Sequence, residues 1–343
     1  MSTPIDPDGA TAEQGHTEPA GPEGIASPER LFVGARARTR SDLGLRTDVG
    51  LRHPTNQDFL SADVDADDCH LVLVVADGVS STAGAERAAA IASRHVCAYL
   101  TAALAQGLPH GDDAVIRLFE RAVDRANRAV LDPHTADPSQ LGPDRATTDP
   151  TPSTDDPDGA SAESRDHLED DPHVAIGACT LAAAICSNDR LLVANIGDTR
   201  AYWFPGDGRA IRLSTDDSVA QAQIDLGMTR EEAESGVGAH AITKWIGARA
   251  TDITPRVVAY TPRSPGWLLL CSDGLWNHLP DPADLAAVLA GFVSRAPLVD
   301  GRPDPDAIAG MLVDHANACG GQDNVSVALW RADAVPARAA VDE

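Results

Sequence analysis

The chain of 343 residues is long enough for one large domain or two ordinary ones, so it can bury a sizeable core. It carries 27 basic and 52 acidic side chains, which gives a net charge of −25 at pH 7. This balance excludes nucleic-acid binding as the main function, because phosphate backbones require a basic surface.

The acidic residues are concentrated in two stretches, 1–30 and 132–171. The first has six carboxylates against Arg30 alone, and the second has twelve carboxylates against two arginines. Both are rich in Pro, Gly, Ser and Thr and lack apolar periodicity, so they cannot bury enough surface to offset the entropy of ordering. We therefore predict a disordered N-terminal tail, a disordered insertion at 132–171, and a folded domain over 31–335 followed by a short tail, 336–343.

The cysteines and the N-terminus indicate the cellular compartment. The six cysteines show no C-x-x-C spacing and lie mostly in apolar runs, as is typical of small core residues in a reducing compartment. The N-terminus lacks the basic and apolar regions of a signal peptide. No stretch has the ~18 consecutive apolar residues that span a membrane. These features predict a cytoplasmic protein without a membrane partner.

In chain order, strand patterns and helical patterns occur in blocks. Four apolar runs with an acidic residue at one end predict strands at 71–76, 191–196, 267–271 and 325–330. Apolar residues at helical spacing predict helices at 83–104, 113–131 and 304–318. Residues 175–213 are almost entirely of strand type, with a hairpin turn at 206–208. This arrangement favours an α+β fold of sandwiched sheets over a strict alternation of strands and helices.

Four aspartates stand at the ends of these strands. Asp77, Asp198 and Asp273 each follow an apolar run, and Asp323 precedes the last one. A single Asp-Gly after a strand is usually only a turn. Four such carboxylates can instead gather at one end of the sheets, where they would repel each other unless cations neutralise them. Oxygen ligands of this kind suit Mg²⁺ or Mn²⁺, and the absence of paired His or Cys spacing argues against zinc.

The chain resembles the metal-dependent protein phosphatases, the PPM or protein phosphatase 2C family, in six segments that occur in the family's order. These segments are TDVGLRHPTNQD (47–58), VADGV (75–79), GACT (177–180), ANIGDTR (194–200), CSDGLW (271–276) and GGQDNVSV (320–327). The resemblance implies that 31–335 is a phosphatase domain, a four-layer αββα sandwich with two central, mainly antiparallel sheets flanked by helices.

The resemblance also implies the reaction. The protein would hydrolyse phosphoserine and phosphothreonine by a water bridged between two divalent cations, Mg²⁺ or Mn²⁺, with a third cation in some members of the family. Two such cations lower the pKa of a shared water and neutralise the phosphoryl oxygens together. Its partners would be phosphorylated proteins and an opposing serine/threonine kinase, with no nucleic acid and no membrane.

Roles of single residues follow from the same resemblance. Asp77 is similar to the carboxylate that bridges the two metals, and the main-chain carbonyl of Gly78 is similar to a ligand of one of them. Asp273 and Asp323 correspond to the terminal carboxylates. Asp58 would act through a metal-bound water.

Some positions depart from the family's pattern. Gln57 stands where glutamate is common, and His53 aligns with the phosphate-binding arginine, so either His53 or Arg52 could meet the phosphate. Asn277 replaces an aspartate that some members use for a third metal. Asp198 is therefore either a ligand of that metal or an aspartate that holds Arg200 and a turn. No residue after Gly78 offers an obvious general acid.

Two other functions remain open from the sequence. A catalytically weak relative could serve as a signalling or scaffold module, with the changes at Gln57, His53 and Asn277 marking lost chemistry. A hydrolase of small phosphate esters would use the same carboxylates. The presence of Asp77, Asp273 and Asp323 together favours an active protein phosphatase, since a decayed site would be expected to lose at least one of them. The sequence names neither the substrate nor the oligomeric state.

Overall fold

The computed structural model describes residues 30–109, 111–132, 134–135, 176–187 and 189–333. The segments predicted to be disordered, 1–30 and 132–171, and the tail 336–343 lie outside these residues, except for Arg30 and residues 132, 134 and 135. Their predicted disorder stays a prediction.

Two sheets form the centre of the described fold. The strands of the first sheet are β1 (Leu31–Val33), β3 (Phe59–Val64), β4 (Leu71–Gly78), β5 (Ala178–Cys186), β6 (Leu191–Ile196), β9 (Ile246–Gly247) and β10 (Arg256–Tyr260). Their order is β1-β3-β4-β5-β6-β10, and the short β9 pairs with β5. Only the β1–β3 pair is parallel among the pairs of this sheet in the described residues.

The second sheet is antiparallel throughout its described pairs, in the order β2-β14-β11-β7-β8. Its strands are β2 (Leu43–Asp48), β7 (Arg200–Pro205), β8 (Ile211–Arg212), β11 (Gly266–Cys271) and β14 (Val325–Ala332). A separate two-stranded ribbon joins β12 (Leu298–Val299) to β13 (Arg302–Pro303). β7 and β8 form the predicted hairpin.

Helices cover the outer faces of both sheets. The described helices are α1 (Ala85–Leu104), α2 (Asp112–Leu131), α3 (Val219–Asp225), α4 (Arg230–Glu234), α5 (Asp273–Trp276), α6 (Pro282–Val293) and α7 (Pro305–Ala318). α7 begins after Asp304, whose side chain accepts a hydrogen bond from the Asp306 amide, with Pro305 in the first turn. The three helices predicted from periodicity are therefore present, with ends shifted by no more than two residues.

Alternation along the strands creates three apolar layers. In β4, Leu71 and Leu73 face the second sheet, whereas Val72 and Val74 face α1 and α2. In the second sheet, Leu269 packs with the helices α5, α6 and α7 on the opposite side. The described chain is thus the predicted αββα sandwich of two mainly antiparallel sheets between helices.

Two further predictions concern the cysteines and the membrane. Cys97, Cys179, Cys186 and Cys271 are buried, as predicted, while Cys69 is exposed, as is Cys319 at the C-terminus of α7. In the part of the chain that the structure describes, no helix combines the length and apolar character needed to cross a bilayer.

Candidate active site

The strand register brings acidic residues of the first sheet to one end of the molecule. Asp58 comes directly before β3 and Asp77 lies near the end of β4. Because Phe59 pairs with Ala76, the two carboxyl groups are neighbours, and the charge of Asp58 raises the pKa of Asp77. Strand β6 ends at the same edge, since Ile196 pairs with Leu181 of β5.

The second sheet contributes two more carboxylates at the same end. Cys271 of β11 pairs with Val327 of β14, so Asp273, just after β11, and Asp323, just before β14, lie on the same side. Asp273 is also a neighbour of Asp77, since its charge raises the pKa of Asp77. The structure therefore brings together Asp58, Asp77, Asp273 and Asp323 from four strand ends in two sheets.

Mutual repulsion shows in the protonation behaviour of these groups. Burial raises the pKa of Asp77 well above its usual 3.8, and the neighbouring charges of Asp58, Asp273 and Asp198 raise it further. Burial also raises the pKa of Asp273 well above 3.8, with Asp198 and Asp323 adding to the effect. This cluster holds far more negative charge than a buried site tolerates without a counter-charge.

Asp58 is the most enclosed member of the cluster. Its side chain is fully buried, and burial raises its pKa to about 6, although hydroxyl groups of Ser326 and Ser272 act in the opposite direction. Oδ2 accepts a 2.8 Å hydrogen bond from the Ser272 hydroxyl. Oδ1 is buried and has no hydrogen-bond partner among the described residues. A buried carboxylate oxygen without a partner indicates a missing donor or cation.

Asp198 is held at the turn after β6. Gly197, in the left-handed region at φ +85°, leads into it, and burial raises the pKa of Asp198 to about 7, with the charge of Asp216 adding to the effect. The alternative prediction, that Asp198 holds Arg200, is wrong because the hydrogen-bond partner of Arg200 is Asp216. Arg200 donates to both carboxylate oxygens of the buried Asp216, at 2.6 and 3.0 Å. The main-chain carbonyl of Asp198 instead accepts a 2.9 Å hydrogen bond from Trp276 Nε1.

The two candidate phosphate-binding residues have different surroundings. His53 Nε2 lies 3.3 Å from Asp323 Oδ1, at the edge of the acidic cluster. Arg52 is exposed beside it. Gln57, the residue that stands in place of glutamate, accepts a 2.8 Å hydrogen bond from the Ser80 hydroxyl through Oε1. His53 is thus directed at the cluster and Arg52 is free to reach a ligand from solvent.

Asn277 contacts the cluster directly. Its Nδ2 donates a 3.1 Å hydrogen bond to Asp273 Oδ2. An aspartate at this position would add a charge beside Asp273, whereas the amide supplies a donor. The third-cation site predicted at Asp198 and Asp273 therefore has one carboxylate fewer than the family's pattern.

The donor set fits divalent cations that prefer oxygen. The cluster offers carboxylate oxygens, which such cations bind. At Gly78 the β4 backbone packs closely against Gln57, and a Cβ there would meet the Gln57 carbonyl oxygen at 2.8 Å, so only glycine fits at this position. Across the described residues, no three His, Cys, Asp or Glu side chains stand at the mutual distances of a finished metal shell. Main-chain carbonyls and waters would have to supply the remaining ligands, as Mg²⁺ commonly allows.

Four polar residues that support the cluster were not predicted from the sequence. Ser272 and Ser326 surround Asp58, and Ser326 also pairs with Thr47 at 2.8 Å. Asn324 fixes the loop that carries His53, because its amide donates to the carbonyls of Val49 and Thr55 and its Oδ1 accepts from the Gln57 amide. Asn56 Oδ1 accepts from the Asp58 amide. All four lie inside the segments that resemble the family, and this position in the sequence is the one feature that could have indicated their role.

A mainly apolar cavity of about 750 Å³ lies beside the residues that follow β4 and precede β5. Val79, which follows the β4 aspartate by two residues, lies on its wall together with Ile242, Trp245 and Ala241. Arg249, with φ +59°, also lines it. A cavity of this volume accommodates several side chains of a peptide.

Comparison with known proteins identifies the family. The family model described as protein phosphatase 2C matches residues 52–301. The chain belongs to the protein phosphatase 2C family. Its predicted family is therefore confirmed.

Individual relatives of the phosphatase 2C family agree with this assignment. The serine/threonine phosphatase Stp of Listeria innocua is 29% identical over 152 residues, which cover 44% of this chain and 55% of that protein. The protein phosphatase PhpP of Streptococcus pneumoniae is 27% identical, covering 84% of this chain and 96% of PhpP. The chain thus spans about half the length of the first curated relatives it matches, and nearly all of PhpP.

Solved structures share the fold. The catalytic domain of the serine/threonine protein phosphatase PstP, solved in complex with two manganese ions, has a TM-score of 0.53 and 24% identity. The comparison covers 85% of this chain and 98% of that domain. The likeness shows a common phosphatase 2C architecture for the described sheets and helices.

Proposed function

We propose that the protein is a metal-dependent serine/threonine phosphatase that hydrolyses phosphoserine and phosphothreonine in other proteins. The observation that carries this proposal is the convergence of Asp77, Asp273 and Asp323, which come from three distant parts of the chain. Membership of the phosphatase 2C family and the names of its relatives support the reaction class.

The carboxylates of Asp77, Asp273 and Asp323, with the Gly78 carbonyl, would hold two Mg²⁺ or Mn²⁺ ions. Asp77 would be the carboxylate shared by both ions, since it is a neighbour of Asp58 from its own sheet and of Asp273 from the other sheet. Divalent cations at such a site activate a water and neutralise the oxygens of a phosphoryl group. The manganese in the PstP catalytic domain supports Mn²⁺ as the first cation to test.

Other residues of the chain would orient the water and the phosphate. Asp58, held by Ser272, would accept a hydrogen bond from the water through its unpartnered Oδ1. Arg52 would bind phosphoryl oxygens in a bidentate way, and His53 would donate a single hydrogen bond beside Asp323. A third cation at Asp198 stays a prediction, because Asn277 supplies no charge there.

Several features support proteins as substrates. The apolar cavity beside Val79 gives the residues that flank a phosphorylated side chain a place to bind, which a small phosphate ester would not use.

A protein phosphatase implies an opposing serine/threonine kinase. The free cysteines support a reducing compartment such as the cytoplasm.

Phosphate release from a phosphothreonine peptide tests the proposal. We expect turnover with Mn²⁺, its loss with a chelator, and a decrease of at least about 100-fold in Asp77→Asn, because electrostatic stabilisation of the reacting group is lost. Asp207→Asn, at an exposed aspartate paired with Arg209, is the matched control and should keep full activity.

The outcomes separate the alternatives. A folded wild-type protein that binds Mn²⁺ without releasing phosphate would indicate the catalytically weak signalling module. Faster turnover of sugar phosphates than of phosphopeptides would indicate a small-ester hydrolase. Either result would refute the proposed protein phosphatase.

A further inference from the structure

A groove of about 510 Å³ runs between α1 and α2 on the outside of the first sheet. We call it the arginine groove and define it by Tyr99 and Ala102 of α1 and by Arg117, Arg121 and Arg125 of α2. Tyr99 is fourteen residues from the start of α1 at Ala85, which corresponds to about 20 Å along the helix. The groove is therefore far from the acidic cluster.

The three arginines form a regular row. They lie at i, i+4 and i+8 on α2, so their side chains project from the same face with about 6 Å between successive residues. All three are exposed, and within the described chain none has a carboxylate partner, whereas Arg128 in the next turn pairs with Asp124 at 2.7 Å. Arg125 lies 5.6 Å from the centre of the Tyr99 ring.

The charges of this row are only partly balanced along α2. Like charges four residues apart destabilise a helix, and Asp113, Glu120 and Asp124 stand three or four residues from arginines of the row without forming an ion pair with any of them in the described structure. Guanidinium groups that have no carboxylate partner among the described residues indicate a surface that complementary negative charge can occupy. The side chains are also well suited to carboxylates, which they bind in a bidentate way.

The shape of the groove selects the kind of molecule. Its apolar part, which we call the floor, is formed by Ala98, Ala102 and Ala103 from α1 and by Ala114 and Leu118 from α2, and the groove is also lined by His95 and Gln106. From Arg117 to Arg125 the row extends about 12 Å, too far for one compact anion to contact all three guanidinium groups. A flat membrane surface cannot enter a groove between two helices. A peptide segment with carboxylates on one side and apolar residues on the other matches both the row and the floor.

We propose that the arginine groove binds an acidic, amphipathic segment of a partner protein. One carboxylate per helical turn of the segment pairs with each of Arg117, Arg121 and Arg125, and its small apolar side chains contact the alanine floor. Binding there leaves the acidic cluster open. The proposal concerns binding alone, so its failure and the failure of the proposed phosphatase activity are separate observations.

Fluorescence anisotropy with the full chain tests the proposal. The probe is a fluorescein-labelled amphipathic peptide of about 16 residues with one glutamate per helical turn and alanine or leucine between them. We expect the variant R117Q/R121Q/R125Q to bind it about tenfold or more weakly than the wild type, because three charge pairs are lost. Added salt should weaken binding to the wild type and have little effect on the variant.

A second triple variant controls for net charge and folding. R209Q/R230Q/R302Q removes the same number of charges at exposed arginines that already pair with carboxylates. It should bind the probe as the wild type does. Both triple variants should hydrolyse an aryl phosphate at the wild-type rate, since neither changes the acidic cluster.

Several results would overturn the proposal. Equal affinity of both triple variants would show that the groove is not the binding site, and equal affinity for a probe with glutamine in place of glutamate would show that charge is not recognised. Tripolyphosphate or anionic vesicles that bind the wild type more tightly than the probe, and depend on the same arginines, would indicate a compact anion or a membrane. Faster hydrogen exchange in residues 137–171 of R117Q/R121Q/R125Q would indicate that the chain's own acidic stretch is the occupant.

Discussion

The substitution Asp58→Asn is expected to stabilise the metal-free protein at pH 8. Asp58 is fully buried, and burial raises its pKa from 3.8 to about 6. A carboxyl group whose pKa is raised in the folded state costs stability as the pH rises above its ordinary value of 3.8, and the full cost is reached above the raised value, where the ionised form must be kept in the fold. The shift corresponds to about 3 kcal/mol, which is the most that removal of the charge can recover.

Thermal unfolding in the presence of a chelator measures this effect. A gain of about 3 kcal/mol would raise Tm by roughly 5–10 °C in a domain of this size. At pH 5 the difference between Asp58→Asn and the wild type should shrink, since Asp58 is then largely protonated in the fold. Saturating Mn²⁺ should reduce or reverse the difference, because cation binding stabilises the wild type by about 2.7 kcal/mol at a concentration of 100 Kd, and the variant by less.

The same substitution at Asp65 is the matched control, and its effect on stability should have the opposite sign. Burial acts to raise the pKa of Asp65, but hydrogen bonds from His70 and Cys69 outweigh it and keep the pKa below 3.8. Asp65→Asn should therefore destabilise the protein at pH 8 by about 1–2 kcal/mol. If Asp58→Asn lowers Tm in the chelated protein as Asp65→Asn does, the description of a charge-loaded cluster is wrong.

Three more predictions follow from the surroundings of the cluster. Gly274→Ala should destabilise the fold by about 2 kcal/mol or more, because its Cβ would meet the Asn324 carbonyl oxygen at 2.0 Å. Gly291→Ala, with open space around it in a helix, is the control and should be neutral or stabilising. Equal Tm values for the two variants would contradict this prediction. Trp276→Phe removes the donor to the Asp198 carbonyl and should cost about 1–2 kcal/mol in urea unfolding, so an unchanged midpoint would argue against that hydrogen bond. Without divalent cations, Tm should fall from pH 5 to pH 8, since two carboxyls with pKa values raised to about 6 and about 7 bind protons only in the folded state; a rising Tm would show that other groups dominate.

The sequence predicted the long elements well because their periodicity is local. The apolar run that became β4 and the helix that became α1 were identified within two residues of their ends. Strands of two or three residues, such as β1 and β9, were beyond periodicity analysis, since a pattern needs more residues than they have. The order of strands in the sheets was not predicted, because pairing between distant segments depends on contacts that no local pattern records.

The candidate site was predicted in its charged residues and missed in its neutral ones. Asp77 and Asp273 were recognised because an acidic residue at the end of an apolar strand is conspicuous. Ser272 and Asn324 were missed, because a hydroxyl or amide gains its role only from the groups that the fold places beside it. Asp216 is the clearest example of a missed residue. It lies sixteen residues after Arg200 and reaches it because the β7–β8 hairpin brings the chain back to the start of β7.

The contacts around Trp276 link the turn that carries Asp198 to the segment that contains His240. The Arg200 guanidinium stacks 3.5 Å from the centre of the Trp276 ring, and the His240 ring lies 6.2 Å from it. Asp216 holds Arg200 in this position. The Asp198 carbonyl is therefore held by an aromatic side chain that itself packs against Arg200 and His240.

Anomalous diffraction from crystals soaked in Mn²⁺ tests the central claim most directly. We expect two manganese peaks in contact with the Asp77 carboxylate, one also touching Asp273 and Asp323, and neither present in Asp77→Asn. Manganese bound only elsewhere on the protein, or peaks unaffected by Asp77→Asn, would contradict the assignment of this cluster as the metal centre of a phosphatase.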